Sequence, residues 1–192
     1  MEHRIRLLDA ADAEEFRALR LGALERHPCE FGAAYQEEAA QTLAQVRHCL
    51  DQATVFGGFF DGALQGVAGF GALPGPKKCH KGVLWGVYVA PGARGKGLGR
   101  ALVGGVIEHA RAEVDQLHAT VVTVNQTARQ LYQKLGFHPY GLEPRALKVG
   151  DRYYDQELMV LLFEPAPSAH RPVISASSPS TSSSVRPDRF ST

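Results

Sequence analysis

The chain has 192 residues, of which 44% are hydrophobic, and 21 Lys and Arg residues against 20 Asp and Glu residues give a formal net charge of +1. This length and content allow one substantial core, and the near-zero net charge gives no basis for broad nucleic-acid binding. Three cysteines in neither a disulfide nor a zinc spacing, with no signal peptide or membrane-spanning apolar run, predict a soluble cytoplasmic protein with no metal site and no membrane partner.

The first part of the chain predicts a strand followed by two helices. Ile5 and Leu7 indicate the strand, and Asp12 with Glu15 is typical of a capping pair that opens a helix. Apolar residues then recur at helical spacing in two successive segments: Phe16, Leu19 and Ala23, then Leu43, Val46 and Leu50.

Two hairpins are predicted, one in each half of the chain. Residues 54–73 form two apolar segments joined at Asp61-Gly62, which is a strong turn signal. Residues 146–163 repeat the pattern around Gly150. Between the hairpins, KGVLWGVYV at residues 81–89 predicts a strand with four alternating apolar residues: Val83, Trp85, Val87 and Val89.

A glycine-rich basic segment, PGARGKGLGRAL at residues 91–102, directly follows that strand and precedes an apolar helical pattern. Glycine permits positive φ and close approach of a ligand to the main chain, and the first N–H groups of a helix have no partners of their own. Such a segment favours an anion, most naturally a phosphate. Its spacing fits neither a Walker loop nor the dinucleotide fingerprint.

A second motif lies in HATVVTVNQTARQLYQKLGF, residues 118–137. Its valines predict a buried strand, Asn125 follows them, and Ala128, Leu131 and Tyr132 recur at helical spacing before Gly136 ends the helix. Taken alone, Asn125 is equally well explained as a helix N-cap, and Tyr132 as a half-buried core aromatic.

Together the two motifs resemble the GNAT N-acetyltransferase family. The glycine motif matches as Arg-x-x-Gly-x-Gly at Arg94, Gly97 and Gly99, and the second motif matches from Asn125 to Phe137. The order of elements resembles the family's acyl-CoA N-acyltransferase fold over residues 3–163, an α/β (α+β) three-layer domain with a mixed, mostly antiparallel sheet. Residues 165–192, rich in Ser and Pro, predict a disordered tail.

The resemblance implies transfer of an acetyl group from acetyl-CoA, as co-substrate, to a primary amine by direct attack in a ternary complex. It implies that Tyr132 assists the leaving sulfur, that Asn125 helps to hold the cofactor, and that main-chain N–H groups of the strand stabilise the oxyanion. The implied cofactor-binding residues, besides Asn125 and Tyr132, are Val87, Tyr88, Val89, Arg94, Gly95, Lys96, Gly97, Leu98, Gly99 and Arg100.

One position departs from the family pattern. Many members carry a glutamate base where this chain has Val83. The proton acceptor is therefore open among His80, Glu30, Glu143 and water alone. A non-catalytic acyl-CoA binding or sensing module is the alternative that Val83 favours, and a chance phosphate binder is a third.

The acceptor amine is not identified by the sequence, and a homodimer is left open. Polyamine, aminoglycoside, protein N-terminus and lysine side chain all fit a pocket with acidic residues and tyrosines near it. The candidates lie in residues 26–38 and 152–157: Glu30, Glu37, Glu38, Asp155 and Glu157, with Tyr35, Tyr153 and Tyr154.

Overall fold

The computed structural model describes residues 3–164, and the predicted tail at 165–192 lies outside this range. Its strands are β1 His3–Leu7, β2 Thr54–Phe60, β3 Ala63–Ala72, β4 Lys81–Val89, β5 Gln116–Val122, β6 His138–Val149 and β7 Arg152–Leu162. Its helices are α1 Ala13–Arg26, α2 Tyr35–Ala39, α3 Leu43–Gln52, α4 Leu98–Arg111 and α5 Gln126–Lys134. Two short 3-10 turns, Ala10–Asp12 and Pro91–Ala93, precede α1 and α4.

The seven strands form one sheet in the order β1-β2-β3-β4-β5-β7-β6, in which β4 and β5 are parallel and the other neighbours are antiparallel. The prediction of a mixed, mostly antiparallel sheet flanked by helices is confirmed. Only Lys81–Val83 of β4 pair with β5, at residues 116–118. Beyond that point the two strands are no longer paired, which leaves a gap between β4 and β5 at the ends that lead into α4 and α5.

Two apolar clusters pack against the sheet. One is built around α4, with Leu102, Val103 and Val106 fully buried, and it also contains Tyr132 and Phe137. The other contains residues of α1 and α3 together with Trp85 and Tyr88 of β4: Ala23, Val46 and Leu50 are among its members. Below, these are called the α4 face and the α1 face.

A bulge at Gly86 interrupts β4 and overturns part of the predicted alternation. The pairing with β3 shifts register between Val67 and Gly69, and Gly86 has a φ of 64°, a conformation that suits a residue without Cβ. The extra residue reverses which side chains share a face. Val87 and Val89 therefore pack on the α4 face, whereas Trp85 packs on the α1 face.

The start of α1 also differs from the predicted capping pair. The capping box is formed by Asp9 and Asp12 at the 3-10 turn, and the Asp12 side chain caps no N–H of α1. Asp12 instead accepts two hydrogen bonds from Arg6, each 2.6 Å, and Glu15 accepts one from the Leu64 N–H at 3.3 Å. The helical spacing in the sequence did not indicate this 3-10 turn, which precedes α1 and has its own capping box.

The other predicted elements are present, with some different bounds. The turn at Asp61-Gly62 has positive φ at both residues, 48° and 81°, as a tight hairpin requires. The second hairpin is longer than predicted because β6 already begins at His138, and α2 was not predicted. Over residues 3–164, no helix is long and apolar enough to cross a membrane, and no group of three or more His, Cys, Asp or Glu side chains lies close enough to hold a metal ion.

Candidate functional site

The turn before α4 presents a run of main-chain N–H groups without partners. Gly97 caps the helix with a φ of 84°, and Gly95 also has a positive φ, 74°. Ala101 is the first N–H of α4 to donate, to the Gly97 carbonyl at 3.0 Å. The N–H groups of residues 95–100 donate to no described residue. Six adjacent donors at a helix start suit a phosphate or pyrophosphate.

The side chains of this turn differ in what they leave accessible. The Leu98 side chain is 1% exposed and packs in the core, so Leu98 contributes only its main-chain N–H group to the turn. A Cβ on Gly99 would lie 3.5 Å from Leu131 and 3.6 Å from Val89, which flank the gap from α5 and β4. Because Gly99 has no side chain, the space beside the gap stays open at this position.

Three cations surround the same turn. Arg94 donates from Nε to the Val89 carbonyl at 2.9 Å, and Lys96 donates from Nζ to the Gly92 carbonyl at 2.8 Å. Arg100 is exposed on the first turn of α4. All three belong to the segment that carries the unpaired N–H groups or directly adjoin it, and Arg94 and Lys96 each donate to a main-chain carbonyl.

The main chain of β4 faces the gap at alternate residues. Ala90 donates to the Gln65 carbonyl next to β3 at 2.8 Å, so the main-chain groups of Val89 point to the opposite edge, into the gap. By the same alternation Val87 faces the gap and Tyr88 faces β3. Of the three predicted oxyanion donors, the N–H of Tyr88 is therefore turned away, because it belongs to the ladder with β3.

On the other side of the gap, α5 positions the two predicted side chains. Asn125 caps α5, since its Oδ1 accepts from the Ala128 N–H at 3.0 Å. Tyr132 is 5% exposed and its ring packs on Phe137, with 5.6 Å between centroids. Burial raises the pKa of the Tyr132 hydroxyl, so the phenol is neutral at neutral pH. Asn125 is thus the N-cap of α5 through its Oδ1, and Tyr132 is a buried core aromatic.

A chain of polar side chains crosses the gap on the α1 face, through the loop between α1 and α2 (residues 27–34, the α1–α2 loop). Asn125 Nδ2 donates to Glu30 Oε2 at 3.0 Å, and His27 Nδ1 lies 3.4 Å from Glu30 Oε1. His27 Nε2 lies 3.0 Å from Arg94 Nη2. Because arginine only donates, Nε2 of His27 accepts, and in a neutral ring the hydrogen then resides on Nδ1, facing Glu30.

The three side chains considered as proton acceptors lie in very different places. His80 precedes the paired end of β4, roughly 23 Å from Val87 at about 3.3 Å per strand residue. Glu143 is exposed on the edge strand β6. Glu30 alone of the three contacts a residue beside the gap, Asn125.

Several acidic residues considered for the acceptor amine are already engaged. Glu38 and Glu157 each accept from an arginine, Arg20 at 2.8 Å and Arg129 at 2.7 Å, and Asp155 accepts from a main-chain N–H at 2.7 Å. The charges of Glu38 and Glu157 are therefore offset by their arginine partners, whereas Asp155 keeps its negative charge because a main-chain N–H is neutral. The remaining candidates are exposed or half-buried: Tyr35, Glu37, Tyr153 and Tyr154.

Two side chains near the gap were not singled out from the sequence, Arg20 and His27. A signal for Arg20 exists, since it lies four residues after Phe16 and three before Ala23, on the apolar face of α1. A cation at a buried helical position demands a partner and often marks a site. His27 had no such signal, because it follows the last residue of α1.

Several solved structures of similar fold are acetyltransferases. An acetyltransferase of the GNAT family from Streptococcus pneumoniae is 27% identical with a TM-score of 0.75, covering 85% of this chain and 100% of that chain. The ribosomal-protein-alanine N-acetyltransferase from Brucella melitensis is 27% identical with a TM-score of 0.73, over 83% and 99%. A putative acetyltransferase from Salmonella typhimurium, solved with its cofactor acetyl-CoA, shares the fold at 24% identity and a TM-score of 0.71, over 88% and 99%.

The model of the acetyltransferase (GNAT) family matches residues 17–137, and the chain belongs to this family. An L-methionine sulfoximine/L-methionine sulfone acetyltransferase from Pseudomonas paraeruginosa is 37% identical over 86 residues, which are 43% of this chain and 49% of that protein. A protein of the same description from Pseudomonas aeruginosa matches equally. The chain thus spans about half the length of the curated relatives it matches. The resemblance inferred from the two sequence motifs is confirmed.

Proposed function

We propose that the protein is an N-acetyltransferase that moves an acetyl group from acetyl-CoA to a primary amine, by direct attack within a ternary complex. The observation that carries the proposal is the run of unpaired N–H groups at residues 95–100, beside a gap in the sheet. Membership of the acetyltransferase family supports it. The start of a helix beside a gap in a sheet can hold the phosphates of a ligand. The thioester arm of the same ligand can then enter the gap.

The residues at the turn fit the cofactor that the family uses. The N–H groups of residues 95–100, with Arg94, Lys96 and Arg100, would hold its pyrophosphate. When bound, acetyl-CoA supplies an acetyl thioester that an unprotonated amine can attack. The N–H groups of Val87 and Val89 would then donate to the oxygen on which negative charge develops.

Glu30 is the side chain we assign as proton acceptor. Of the three candidate side chains it alone contacts a residue beside the gap, and Asn125 and His27 fix both of its oxygens. As the new C–N bond forms and the C–S bond breaks, the amine proton passes to Glu30 directly or through water. Glu30 would thus accept the proton that Val83, at the family's usual glutamate position on β4, cannot accept.

Tyr132 is the side chain we assign to the leaving sulfur. Its burial keeps the phenol neutral and able to donate. Full proton transfer to a thiolate, whose conjugate thiol has a pKa near ~8.5, would be uphill from a phenol with a raised pKa. Tyr132 would therefore stabilise the thiolate mainly by a hydrogen bond.

The acceptor class that we favour is a small molecule. The curated relatives named above are described as acting on L-methionine sulfoximine and L-methionine sulfone, both small. The near-zero net charge supports the absence of a nucleic-acid partner. A cytoplasmic location and the lack of a membrane partner stay predictions of the sequence, and a homodimer is left open.

The test is amine-dependent release of CoA thiol from acetyl-CoA, followed across a panel of primary amines with the full chain. Thermal shift with acetyl-CoA, CoA and ATP accompanies it. We expect acetyl-CoA and CoA to raise the melting temperature and at least one amine to release thiol. Stabilisation without thiol release from any amine would favour the non-catalytic module, and equal stabilisation by ATP would favour a general phosphate binder.

A further inference from the structure

Three hydrogen-bond donors are buried on the α1 face without partners. Arg20 is 7% exposed and Tyr88 is 5% exposed. Nη1 of Arg20, Oη of Tyr88 and Nε1 of Trp85 form no hydrogen bond with any described residue. Buried polar atoms are nearly always paired in folded proteins, because leaving one unpaired is costly. A cluster of three on one face calls for a ligand that satisfies them.

The three donors surround the bulge in β4. Trp85 and Tyr88 flank it and pack on the same face, and a Cβ on Gly86 would lie 3.6 Å from Arg20 Nη1. Phe31 of the α1–α2 loop packs against two of them, Arg20 and Tyr88. Its ring centroid lies 5.0 Å from Arg20 Cζ and 6.4 Å from the centroid of Tyr88. Arg20 and Tyr88 therefore lie beneath the loop that also carries Glu30, and Trp85 belongs to the same apolar cluster as Tyr88 on that face.

The guanidinium of Arg20 has one edge occupied and one edge open. Glu38 accepts from Nε at 2.9 Å and from Nη2 at 2.8 Å, which leaves Nη1 unpaired. An arginine can bind a second carboxylate along its other edge, in the bidentate geometry that it favours. Arg17, one turn earlier on α1, donates to the Ala39 carbonyl at 2.9 Å.

The chemistry of the donors selects the ligand group. Arginine and tryptophan side chains only donate hydrogen bonds, whereas a tyrosine hydroxyl can both donate and accept them. A carboxylate offers acceptors alone and carries the charge that the open edge of a guanidinium favours. An ammonium group has donors alone and could accept from neither the arginine nor the tryptophan.

We propose that Arg20, Trp85 and Tyr88 form a carboxylate subsite of the acceptor pocket, so that the protein acetylates primary amines that also carry a carboxylate. This inference rests on the proposed transferase function. The amine lies toward Glu30 and the gap, and the carboxylate lies at the β4 bulge under Phe31. Polyamines, aminoglycosides and lysine side chains lack a carboxylate near the amine, so the subsite disfavours them.

The first experiment compares acceptors that differ in the carboxylate alone. L-methionine, L-leucine and L-phenylalanine are each assayed for CoA thiol release beside the corresponding amide and the corresponding decarboxylated amine. We expect the carboxylate member of the preferred set to have a kcat/KM at least ~10²-fold higher, because a site built for a polar group strongly rejects analogues that lack it. Equal use of the amides and amines, or faster acetylation of a peptide lysine, would overturn the subsite.

The second experiment removes one donor without removing a structural contact. Tyr88→Phe deletes a hydroxyl that has no partner, so the melting temperature should stay the same or rise. KM for the carboxylate acceptor should rise about tenfold, and that for its amide should change little. Tyr140→Phe is the control for loss of a hydroxyl elsewhere on the sheet, because Tyr140 is 56% exposed on the edge strand β6, where its hydroxyl lies 3.3 Å from His118 Nδ1; it should leave KM unchanged. A lower melting temperature with an unchanged KM would mean that Tyr88 serves packing alone, against the proposal.

A binding measurement separates failure of the subsite from failure of the transferase function. The three amino acids and their amides are titrated by calorimetry into wild-type and Tyr88→Phe protein saturated with CoA. If no amine releases thiol, the transferase function fails, but amino-acid binding that Tyr88→Phe weakens still supports the subsite. Binding of amino acid and amide with equal affinity, or no binding of either, overturns it.

Discussion

The cofactor side and the proposed acceptor side of the gap between β4 and β5 are built from different kinds of groups. The cofactor side consists mainly of main-chain N–H groups from one continuous segment, residues 95–100. The acceptor side consists of side chains from separate segments. For example, the hydrogen bond between Asn125 and Glu30 joins residues 95 positions apart in the sequence. A substitution on the cofactor side acts through backbone geometry, whereas one on the acceptor side removes a specific group.

The strongest test of this comparison is Gly97→Val on the cofactor side. Gly97 has a φ of 84°, and a β-branched residue is strongly disfavoured there, although a Cβ would meet no atom closer than 4.0 Å. The N–H groups would be redirected, and we expect calorimetry to show a loss of acetyl-CoA affinity of at least ~10²-fold.

Gly104→Ala is the matched control for Gly97→Val. Gly104 lies inside α4, and a Cβ there would meet no atom within 4 Å. Alanine should stabilise the helix by ~0.5–1 kcal/mol and leave acetyl-CoA affinity unchanged. Arg94→Ala should lose less affinity than Gly97→Val, because the N–H groups remain. Wild-type affinity in Gly97→Val would place the phosphates elsewhere.

The same comparison explains what the sequence could and could not predict. Residues 94–100 are contiguous, and their function depends on glycine spacing, so the turn and α4 were predictable from local pattern. The bulge at Gly86 was not, since an isolated glycine in a strand is compatible with an unbroken strand. The contacts among Arg20, Glu38 and the bulge depend on packing between distant segments, which no local period encodes.

On the acceptor side, Glu30→Gln tests the proton acceptor. Glutamine keeps an oxygen that can accept from Asn125 Nδ2 but cannot take a proton from the amine. We expect kcat/KM for the amine to fall by ~10²-fold or more, with acetyl-CoA affinity unchanged. Steady-state kinetics with the best acceptor of the panel measures the effect.

The control for Glu30→Gln is Glu37→Gln, because Glu37 is an exposed residue of α2, the helix that follows the α1–α2 loop. Both substitutions remove one negative charge, so a general electrostatic effect would slow both enzymes alike. An equal loss in the two variants, or none in Glu30→Gln, would leave water alone as the proton acceptor.

A smaller effect is expected for Tyr132→Phe, at the inner end of the cofactor side. Burial raises the pKa of this phenol, so it acts by a hydrogen bond, and its loss should lower kcat about tenfold. Acetyl-CoA affinity and melting temperature should change little, because the ring keeps its packing on Phe137. An unchanged kcat, where chemistry limits the rate, would leave Tyr132 as a core aromatic.

The smallest expected effect is on the pH dependence of stability, and it depends on one titratable group at the start of α1, Asp12. α1, which carries Arg20, is held at its start by the hydrogen bonds of Arg6 to Asp12, and these lower the pKa of the Asp12 carboxyl. A carboxyl whose pKa is lowered in the folded state stabilises the fold above its unfolded pKa of ~3.9, and this contribution is lost as pH falls through the folded value.

Asp12→Asn should therefore lower the free energy of unfolding by about 1 kcal/mol at neutral pH, a modest value because the pair is partly exposed to solvent. Urea unfolding from pH 2 to pH 8 should show a constant difference from wild type above about pH 5 and a shrinking difference below ~pH 4. Asp51→Asn, an exposed residue of α3, should show neither feature. Because Asp12 and Asp51 both lie outside the turn at residues 95–100, acetyl-CoA affinity at pH 7 should be the same in all three proteins. A difference that persists undiminished at pH 2 would assign the role of Asp12 to its hydrogen bonds within the capping box and not to its charge.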